Sequence, residues 1–124
     1  MQQIKDYLDQ IAAISHSDWV FFTSKLKRRI IPKKAIFLKL HDIENHISFI
    51  ESGVVRVFIP KEDPEKEITF GFSFENQFIS AYDSFLTRKP SAYQLQALTE
   101  TTILSITYDD LQAVYKTTQI GNLI

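Results

Sequence analysis

Residues 46–58, HISFIESGVVRVF, decide the fold of this chain. Apolar residues dominate on both sides of Gly53, and glycine readily takes the positive φ that a tight turn between two strands requires. The flanking segments 46–51 and 54–59 are therefore predicted to be strands that pair with each other in an antiparallel hairpin.

Further short apolar runs lie on either side of this hairpin, separated by turn signals as in an all-β sandwich or barrel. We predict additional strands over residues 28–31, 35–38, 67–74, 93–98 and 102–107. In one of them Ile68, Phe70, Phe72 and Phe74 alternate with smaller residues. Side chains alternate between the two faces of a strand, so this pattern predicts one buried face.

Helical periodicity is confined to the two ends of the chain. Ile4, Leu8, Ile11 and Ala12 recur at helical spacing and predict an amphipathic helix over the first dozen residues. A second helix is predicted after residues 15–18, and the final helix after the N-cap candidate Thr107. The strands thus form one central block between helical ends.

Composition and charge limit the classes of function. A chain of 124 residues forms one domain, and 10 Phe and 5 Tyr supply its core. The net charge of −1 gives no electrostatic footprint for nucleic-acid phosphates, and zero cysteines exclude disulfides, Cys-zinc sites and cysteine-ligated iron–sulfur clusters. No apolar run has the roughly 18 to 20 residues that span a bilayer, and no signal peptide begins the chain, so a cytoplasmic location without membrane contact is expected.

The element order and residues 31–59, IPKKAIFLKLHDIENHISFIESGVVRVFI, resemble the cyclic-nucleotide-binding domain of the Crp/Fnr family of bacterial transcription regulators. The resemblance implies an α+β, mainly β fold: a double-stranded β-helix (jelly-roll) with N-terminal helices, a short cassette helix and a C-terminal helix. It assigns residues 1–124 to one effector domain, with the N-terminal helices in 1–27, the β-roll in 28–107 and the closing helix in 108–124.

The segment 78–92, FISAYDSFLTRKPSA, stands where the family carries its phosphate-binding cassette, roughly F-[IVL]-G-E-x(8)-R-[ST]-A. Ser80 replaces the glycine, Ala81 the ribose-binding glutamate and Pro90 the phosphate-binding arginine, and a short helix is expected over 81–86. The resemblance marks these residues as candidate ligand contacts: Ser80, Ala81, Tyr82, Asp83, Arg88, Lys89, Ser91, Ala92 and Tyr93.

The substitutions in this cassette weaken the case for cyclic AMP. Backbone N–H groups from Ser80 to Asp83 would face an anion, but Pro90 cannot donate a hydrogen bond and the Ala81 side chain cannot accept one. Losing a charged partner costs on the order of 2 to 5 kcal/mol, so ordinary cyclic AMP binding is not expected. A nucleotide-like or other small anionic effector is left open, and no cofactor is assigned.

Two pairs of cassette residues each admit two interpretations. Arg88 and Lys89 are either solvated loop charges, or Arg88 acts with Ser80 and Ser91 to bind a different anion. Tyr82 and Tyr93 either line the ligand pocket or belong to the core.

The resemblance implies an effector-sensing regulatory domain that forms a homodimer in the full-length protein. DNA would be bound only through a C-terminal helix-turn-helix domain, which this sequence does not include. The alternative is a free-standing interaction or dimerisation module with no small-molecule ligand. Ile120, Leu123 and Ile124 either lead into an onward helical contact or pack back on the domain.

Metal-dependent and serine-based catalysis find no support in the sequence. His41, His46 and Glu51 invite comparison with cupin metal sites, but His46 and Glu51 have opposite parity on a strand and would point to opposite faces. No G-x-S-x-G turn is present. Glu44 and the other loop carboxylates are expected to be solvated, so we predict a non-enzymatic domain without catalytic or metal-binding residues.

Overall fold

The structure is a computed structural model that describes residues 1–120, and it contains two antiparallel sheets of four strands each. The first sheet has the order β1-β8-β3-β6 and the second β2-β7-β4-β5. The strands are β1 Lys27–Ile31, β2 Ile36–Leu38, β3 His46–Ser52, β4 Val55–Ile59, β5 Ile68–Ser73, β6 Phe78–Ile79, β7 Gln94–Ala97 and β8 Thr101–Thr107. The helices are α1 Gln2–Asp9, α2 His16–Lys25, α3 Tyr82–Thr87 and α4 Tyr108–Thr117, with a 3₁₀ turn at Pro64–Lys66.

The predicted pairing of the two strands around Gly53 is wrong. β3 pairs with β6 and β8 in the first sheet, whereas β4 pairs with β5 and β7 in the second. Gly53, with φ 106, is therefore the corner at which the chain leaves one sheet for the other. A Cβ there would lie 2.3 Å from Thr101 Oγ1, so only glycine lets the two segments pass this closely.

The predicted buried face of β5 is also wrong. Ile68, Phe70, Phe72 and Phe74 are 48%, 59%, 51% and 52% exposed. Two physical reasons account for the difference. The strand lies at the edge of its sheet, and a bulge in its pairing with β4 interrupts the alternation of side chains.

Two apolar clusters form the core on either side of the first sheet. The helices pack on its outer face through residues such as Ile4, Leu8 and Phe22, while the inner cluster between the sheets includes Ile50, Leu95 and Ile103. Ile4 and Leu8 are buried as predicted, but α1 ends at Asp9 and leaves Ile11 53% exposed.

The jelly-roll with N-terminal helices, a cassette helix and a closing helix is confirmed as the fold class. The cassette helix α3 begins at Tyr82 and ends at Thr87, one residue later at each end than expected. Ile120 packs back into the helix-side core and is 1% exposed, which settles its orientation. Leu123 and Ile124 lie outside the described residues.

Candidate functional site

The cassette corner, residues 78–81, continues the ladder between β3 and β6. Phe78 and Ile79 pair with Phe49 and Ser48, and the next residue, Ser80, donates its hydroxyl to the carbonyl of His46 over 2.7 Å. This bond uses the Ser80 side chain to extend the pairing beyond the last backbone contact. The corner is therefore fixed against the beginning of β3, directly before α3.

A buried carboxylate that the sequence did not single out occupies this corner. Glu44 is only 6% exposed. Its Oε2 accepts the backbone N–H of Ala81 at 3.2 Å, and its Oε1 accepts the N–H of His46 at 3.1 Å. The expectation of a solvated Glu44 is thus wrong, because its carboxylate is the acceptor for the buried Ala81 amide and the part-buried His46 amide.

The Glu44 backbone completes the connection between this loop and the underside of α3. Its N–H donates to Ser84 Oγ at 2.9 Å, and Ser84 Oγ donates to the carbonyl of Lys89 at 2.5 Å. Burial raises the pKa of Glu44 because desolvation of the carboxylate outweighs its bonds to Ala81 and His46. We call Glu44 with its bonds to Ala81, His46 and Ser84 the Glu44 latch.

Arg88 connects the cassette to the C-terminal helix. Its guanidinium donates to the Glu44 carbonyl at 3.0 Å and to Asn45 Oδ1 at 2.9 Å. The Cζ atom lies 4.2 Å from the ring centroid of Tyr108, the first residue of α4, and Phe85 stacks edge-on against the same ring at 5.3 Å. Arg88 is therefore a packed bridge between α3 and α4, and its interpretation as a solvated loop charge is wrong.

The left-handed backbone conformation of Arg88 is a second sign that its side chain has a structural role. Arg88 terminates α3 with φ 61, in the left-handed region where glycine is the usual residue. A non-glycine residue there costs about 1 kcal/mol, which the guanidinium contacts offset. No glycine stands at this turn, and its absence was the available signal that the Arg88 side chain has a partner.

Open space lies above Gly71 of β5. A Cβ built on Gly71 meets nothing within 4 Å. Gly71 pairs with Val57, and cross-strand partners point to the same face. Val57 and Tyr93 both pack on the inner apolar cluster, which includes Ala81, so Gly71 faces the side of the sheet on which that cluster lies.

Aromatic rings border this space. Phe70 and Tyr93 meet in a T-shaped contact with their centroids 5.9 Å apart. Burial and then the carboxylates of Asp83 and Glu44 raise the pKa of Tyr93, and burial followed by neighbouring groups including Glu44 raises that of Tyr82. Tyr82 is 41% exposed and so is not a core residue. We call Val57, Phe70, Gly71 and Tyr93 the aromatic wall.

The remaining candidate residues are not gathered into an anion site. Ser91 is buried, and its hydroxyl donates to the carbonyl of its neighbour Tyr93 at 2.8 Å. Lys89 and Ala92 are exposed, and Asp83 lies in the first turn of α3. Since Ser80, Ser91 and Arg88 are each bound to protein groups, they do not present a common set of free donors.

Arg29 acts electrostatically on both Glu44 and His46. Burial, followed by the cations Arg29 and Lys27, lowers the pKa of His46, and Arg29 also favours the ionised form of Glu44. Glu51, the third residue of the cupin comparison, forms a forked ion pair with Arg28 at 2.7 and 3.1 Å. Within residues 1–120 the structure contains no group of three or more His, Cys, Asp or Glu side chains arranged to hold a metal ion.

A separate surface cleft of about 380 Å³ lies beside α1 and is lined by Gln3, Asp6, Tyr7, Gln10 and Asn76. Gln3 crosses it, donating to Asn76 Oδ1 at 2.6 Å and to the Glu51 carbonyl at 2.8 Å. The cleft therefore joins α1 to the turn after β5 and contains none of the cassette candidates.

No helix among the described residues is long and apolar enough to cross a membrane.

Sequence reasoning missed Glu44, Gly71 and His46. Glu44 lies in a loop of mixed polarity, where nothing local signals burial, and its partners are distant in the sequence. Gly71 did carry a signal, because a glycine inside a strand often marks a bulge or a place where a ligand comes close.

Comparison with known proteins identifies the domain. A sequence model of the cyclic nucleotide-binding domain matches residues 28–118. Among solved structures, the chain is similar to the catabolite activator protein of Thermus thermophilus, with 18% identity and a TM-score of 0.72, over 89% of this chain and 50% of that chain. It is also similar to a cyclic nucleotide-binding domain from Methylobacillus flagellatus, with 17% identity and a TM-score of 0.81, over 98% and 69% of the two chains.

A third similar structure is CLP from Xanthomonas campestris, described as a c-di-GMP responsive global regulator, with 19% identity and a TM-score of 0.69, over 83% and 49% of the two chains. The chain thus spans about half the length of the two regulators. No curated protein sequence matches it. The match begins at the second residue of β1 and covers the other seven strands, the cassette and α4. The resemblance to this domain is confirmed, and the chain belongs to the cyclic nucleotide-binding domain family.

Proposed function

We propose that this domain is the effector-sensing part of a Crp/Fnr-type transcription regulator, and that it acts by coupling the cassette to α4. The observation that carries the proposal is the Arg88 bridge, because its guanidinium contacts both the cassette loop and Tyr108. An effector that displaces the cassette must alter this contact. Family membership and the similarity to regulators support the same conclusion.

The mechanism is a population shift between two arrangements of α3 and α4. A ligand changes such an equilibrium only as far as it binds one arrangement more tightly. Phe85 and Arg88 both pack on the Tyr108 ring, so a rotation of α3 moves the surface on which α4 begins. Movement of α4 is the output of the domain, and no chemical step on the ligand is required.

Cyclic AMP is a poor candidate for the effector. Ala81 and Pro90 lack the polar groups that the family uses, and the Ala81 N–H is already bound to the Glu44 carboxylate. A buried negative charge at that amide disfavours the arrival of a phosphate.

Dimerisation and DNA binding would belong to the full-length regulator. We propose a homodimer that binds DNA through a C-terminal helix-turn-helix domain and acts in the cytoplasm. The similarity to regulators twice as long supports this arrangement.

Titration calorimetry combined with NMR of the isolated domain tests the proposal. A panel of nucleosides and of cyclic and linear nucleotides is titrated, and the amides of Tyr108 and the rest of α4 are followed. We expect a binding compound to shift the α4 amides in the wild type, and the shift to be lost in Arg88→Met. Binding that leaves α4 unmoved would refute the sensing function.

A second candidate function, an interaction module, is favoured by the exposed edge strand β5. Phe72 and Phe74 are 51% and 52% exposed, and paired edge strands bury such residues. Sedimentation velocity separates the two functions. Self-association that is lost in a double Phe72→Ser, Phe74→Ser variant would favour the module, and a monomer at all concentrations would count against association through this edge.

A further inference from the structure

We propose that the ligand site of this domain takes a flat aromatic molecule without negative charge, seated over Gly71 between the aromatic wall and the cassette. The inference rests on the proposed sensing function and adds the chemical class of the effector. It departs from the anionic effector that the cassette sequence left open. Three features of the structure carry it.

The first feature is that the anion-binding donor at the cassette corner is already used. The Ala81 N–H bonds to Glu44 Oε2 at 3.2 Å, and Ala81 itself is fully buried. Two side-chain donors of the cassette are also engaged, since Ser80 bonds to the His46 carbonyl and Arg88 to Asn45 and the Glu44 carbonyl. A phosphate entering this corner would find an internal carboxylate in its place.

The second feature is the sign of the charge around the site. The charged groups that act on Tyr93 are the carboxylates of Asp83 and Glu44. Arg56, the basic residue on the neighbouring strand, is turned away: it bonds to Thr69 and Glu67 and covers the ring of Phe58 at 4.0 Å. The carboxylates of Asp83 and Glu44 disfavour an anion beside Tyr93 more than a neutral or cationic molecule.

The third feature is the shape of the space itself. Nothing lies within 4 Å of a Cβ on Gly71, while Phe70 and Tyr93 stand beside it as an edge-to-face pair. Phe70 is 59% exposed although it belongs to a folded sheet. An aromatic ring placed over Gly71 would cover Phe70 and make the stacked or T-shaped contacts that aromatic pairs favour.

Three indoles that differ in charge provide the test: neutral indole, cationic tryptamine and anionic indole-3-acetate. Each is titrated into the ¹⁵N-labelled chain while the amide signal of Gly71 is followed, which is well resolved because the chain has only 3 glycines. We expect saturable shifts of Gly71 with indole and tryptamine. Indole-3-acetate should bind at least about tenfold more weakly, since it brings a like charge near Glu44.

Gly71→Val is the variant that removes the site without removing the fold. The space above Gly71 accepts a side chain, and a β-branched residue suits a strand. Its thermal midpoint should equal or exceed that of the wild type, while binding of indole is lost. Asp83→Asn serves as the charge variant, because it leaves the Glu44 latch intact and should bring the affinity for indole-3-acetate closer to that for indole.

The proposal is overturned if indole-3-acetate shifts Gly71 as strongly as indole, if none of the three compounds shifts it at millimolar concentration, or if Gly71→Val binds indole unchanged. The α4 amides report separately on the sensing function. Shifts at Gly71 without shifts at α4 would support the ligand class and refute sensing. Shifts at α4 with cyclic AMP and none with the indoles would support sensing and refute the ligand class.

Discussion

Removal of the Glu44 carboxylate should loosen the cassette. In Glu44→Ala, the N–H groups of Ala81 and His46 lose their acceptors, which lie at 3.2 and 3.1 Å in the wild type. Ala81 is fully buried, so its amide has no direct route to water. The bonds made by the Glu44 backbone to Ser84 and Arg88 remain possible in the variant.

The size of the effect follows from these two amides. A buried donor left without a partner costs about 1 to 3 kcal/mol. Relief of the carboxylate's own desolvation, and entry of a water into the vacated volume, reduce the sum. We expect a loss of about 2 to 4 kcal/mol in the free energy of unfolding, which corresponds to a fall of roughly 8 to 16 °C in Tm for a chain of this length.

Urea unfolding followed by circular dichroism, together with thermal unfolding, measures the change. Glu62→Ala is the matched control, because Glu62 is an exposed carboxylate of the loop before β5. Glu44→Gln should lie between the control and Glu44→Ala, since a carboxamide keeps one acceptor oxygen. A Glu44→Ala variant within 0.5 kcal/mol (about the spread of surface substitutions) of the control would refute the latch.

The same residue gives a prediction with a definite sign in pH. Burial raises the pKa of Glu44 above its ordinary value of 4.5, so the folded chain holds this proton more tightly than the unfolded chain. The contribution of Glu44 to stability is thus greatest below that value and is lost as the pH rises through the folded-state pKa. Wild type should gain stability relative to Glu44→Gln as the pH is lowered from neutral toward 4.5, and the opposite trend would contradict the assignment.

Three further predictions follow from other parts of the fold. Gly53→Ala should lower the free energy of unfolding by about 2 to 5 kcal/mol, because φ is 106 and the new Cβ would meet Thr101 at 2.3 Å. Urea unfolding measures the change, and a loss below 1 kcal/mol (about a typical surface effect) would contradict the close approach at this corner. Arg88→Lys should lower the free energy of unfolding by about 1 to 3 kcal/mol, since an ammonium group cannot both stack on Tyr108 and keep the bonds to Asn45 and the Glu44 carbonyl. A loss no larger than that of Lys89→Ala in urea unfolding would contradict the bridge. Burial lowers the pKa of His46 from 6.5, so the contribution of His46 to stability is present above that value and is lost as the pH falls. The free energy of unfolding of the wild type should fall relative to that of His46→Gln between about pH 7 and 5. A difference between the two proteins that does not change with pH would argue against a buried neutral imidazole.

The course of the chain at Gly53 shows how one correct local inference can be joined to a wrong tertiary one. The need for a positive φ at this residue was predicted from the sequence and is met, with φ 106. A hairpin and a corner between two sheets both satisfy that need, so the local signal did not distinguish them. The distinction depends on the approach of Thr101, which is far away in the sequence.

The site shows the same division. The position of the cassette, its short helix and its loss of phosphate-binding side chains were all predictable, because they are properties of consecutive residues 78–92 matched to a known pattern. The occupant of the cassette corner was not predictable. Glu44 is separated from Ala81 by 37 residues, and its loop composition resembles that of solvated segments.

By itself, the sequence determined the fold class, the order of the helices and of every strand but β6, and the absence of the family's phosphate contacts. These follow from periodicity, turn residues and a motif, all of which act over a few neighbouring positions. Only the tertiary structure decided which strands pair at Gly53, that Arg88 bridges to Tyr108, and that Glu44 fills the cassette corner. Each of these depends on polar or tightly packed atoms brought together from distant segments, where burial makes an unsatisfied group costly and so selects the partner.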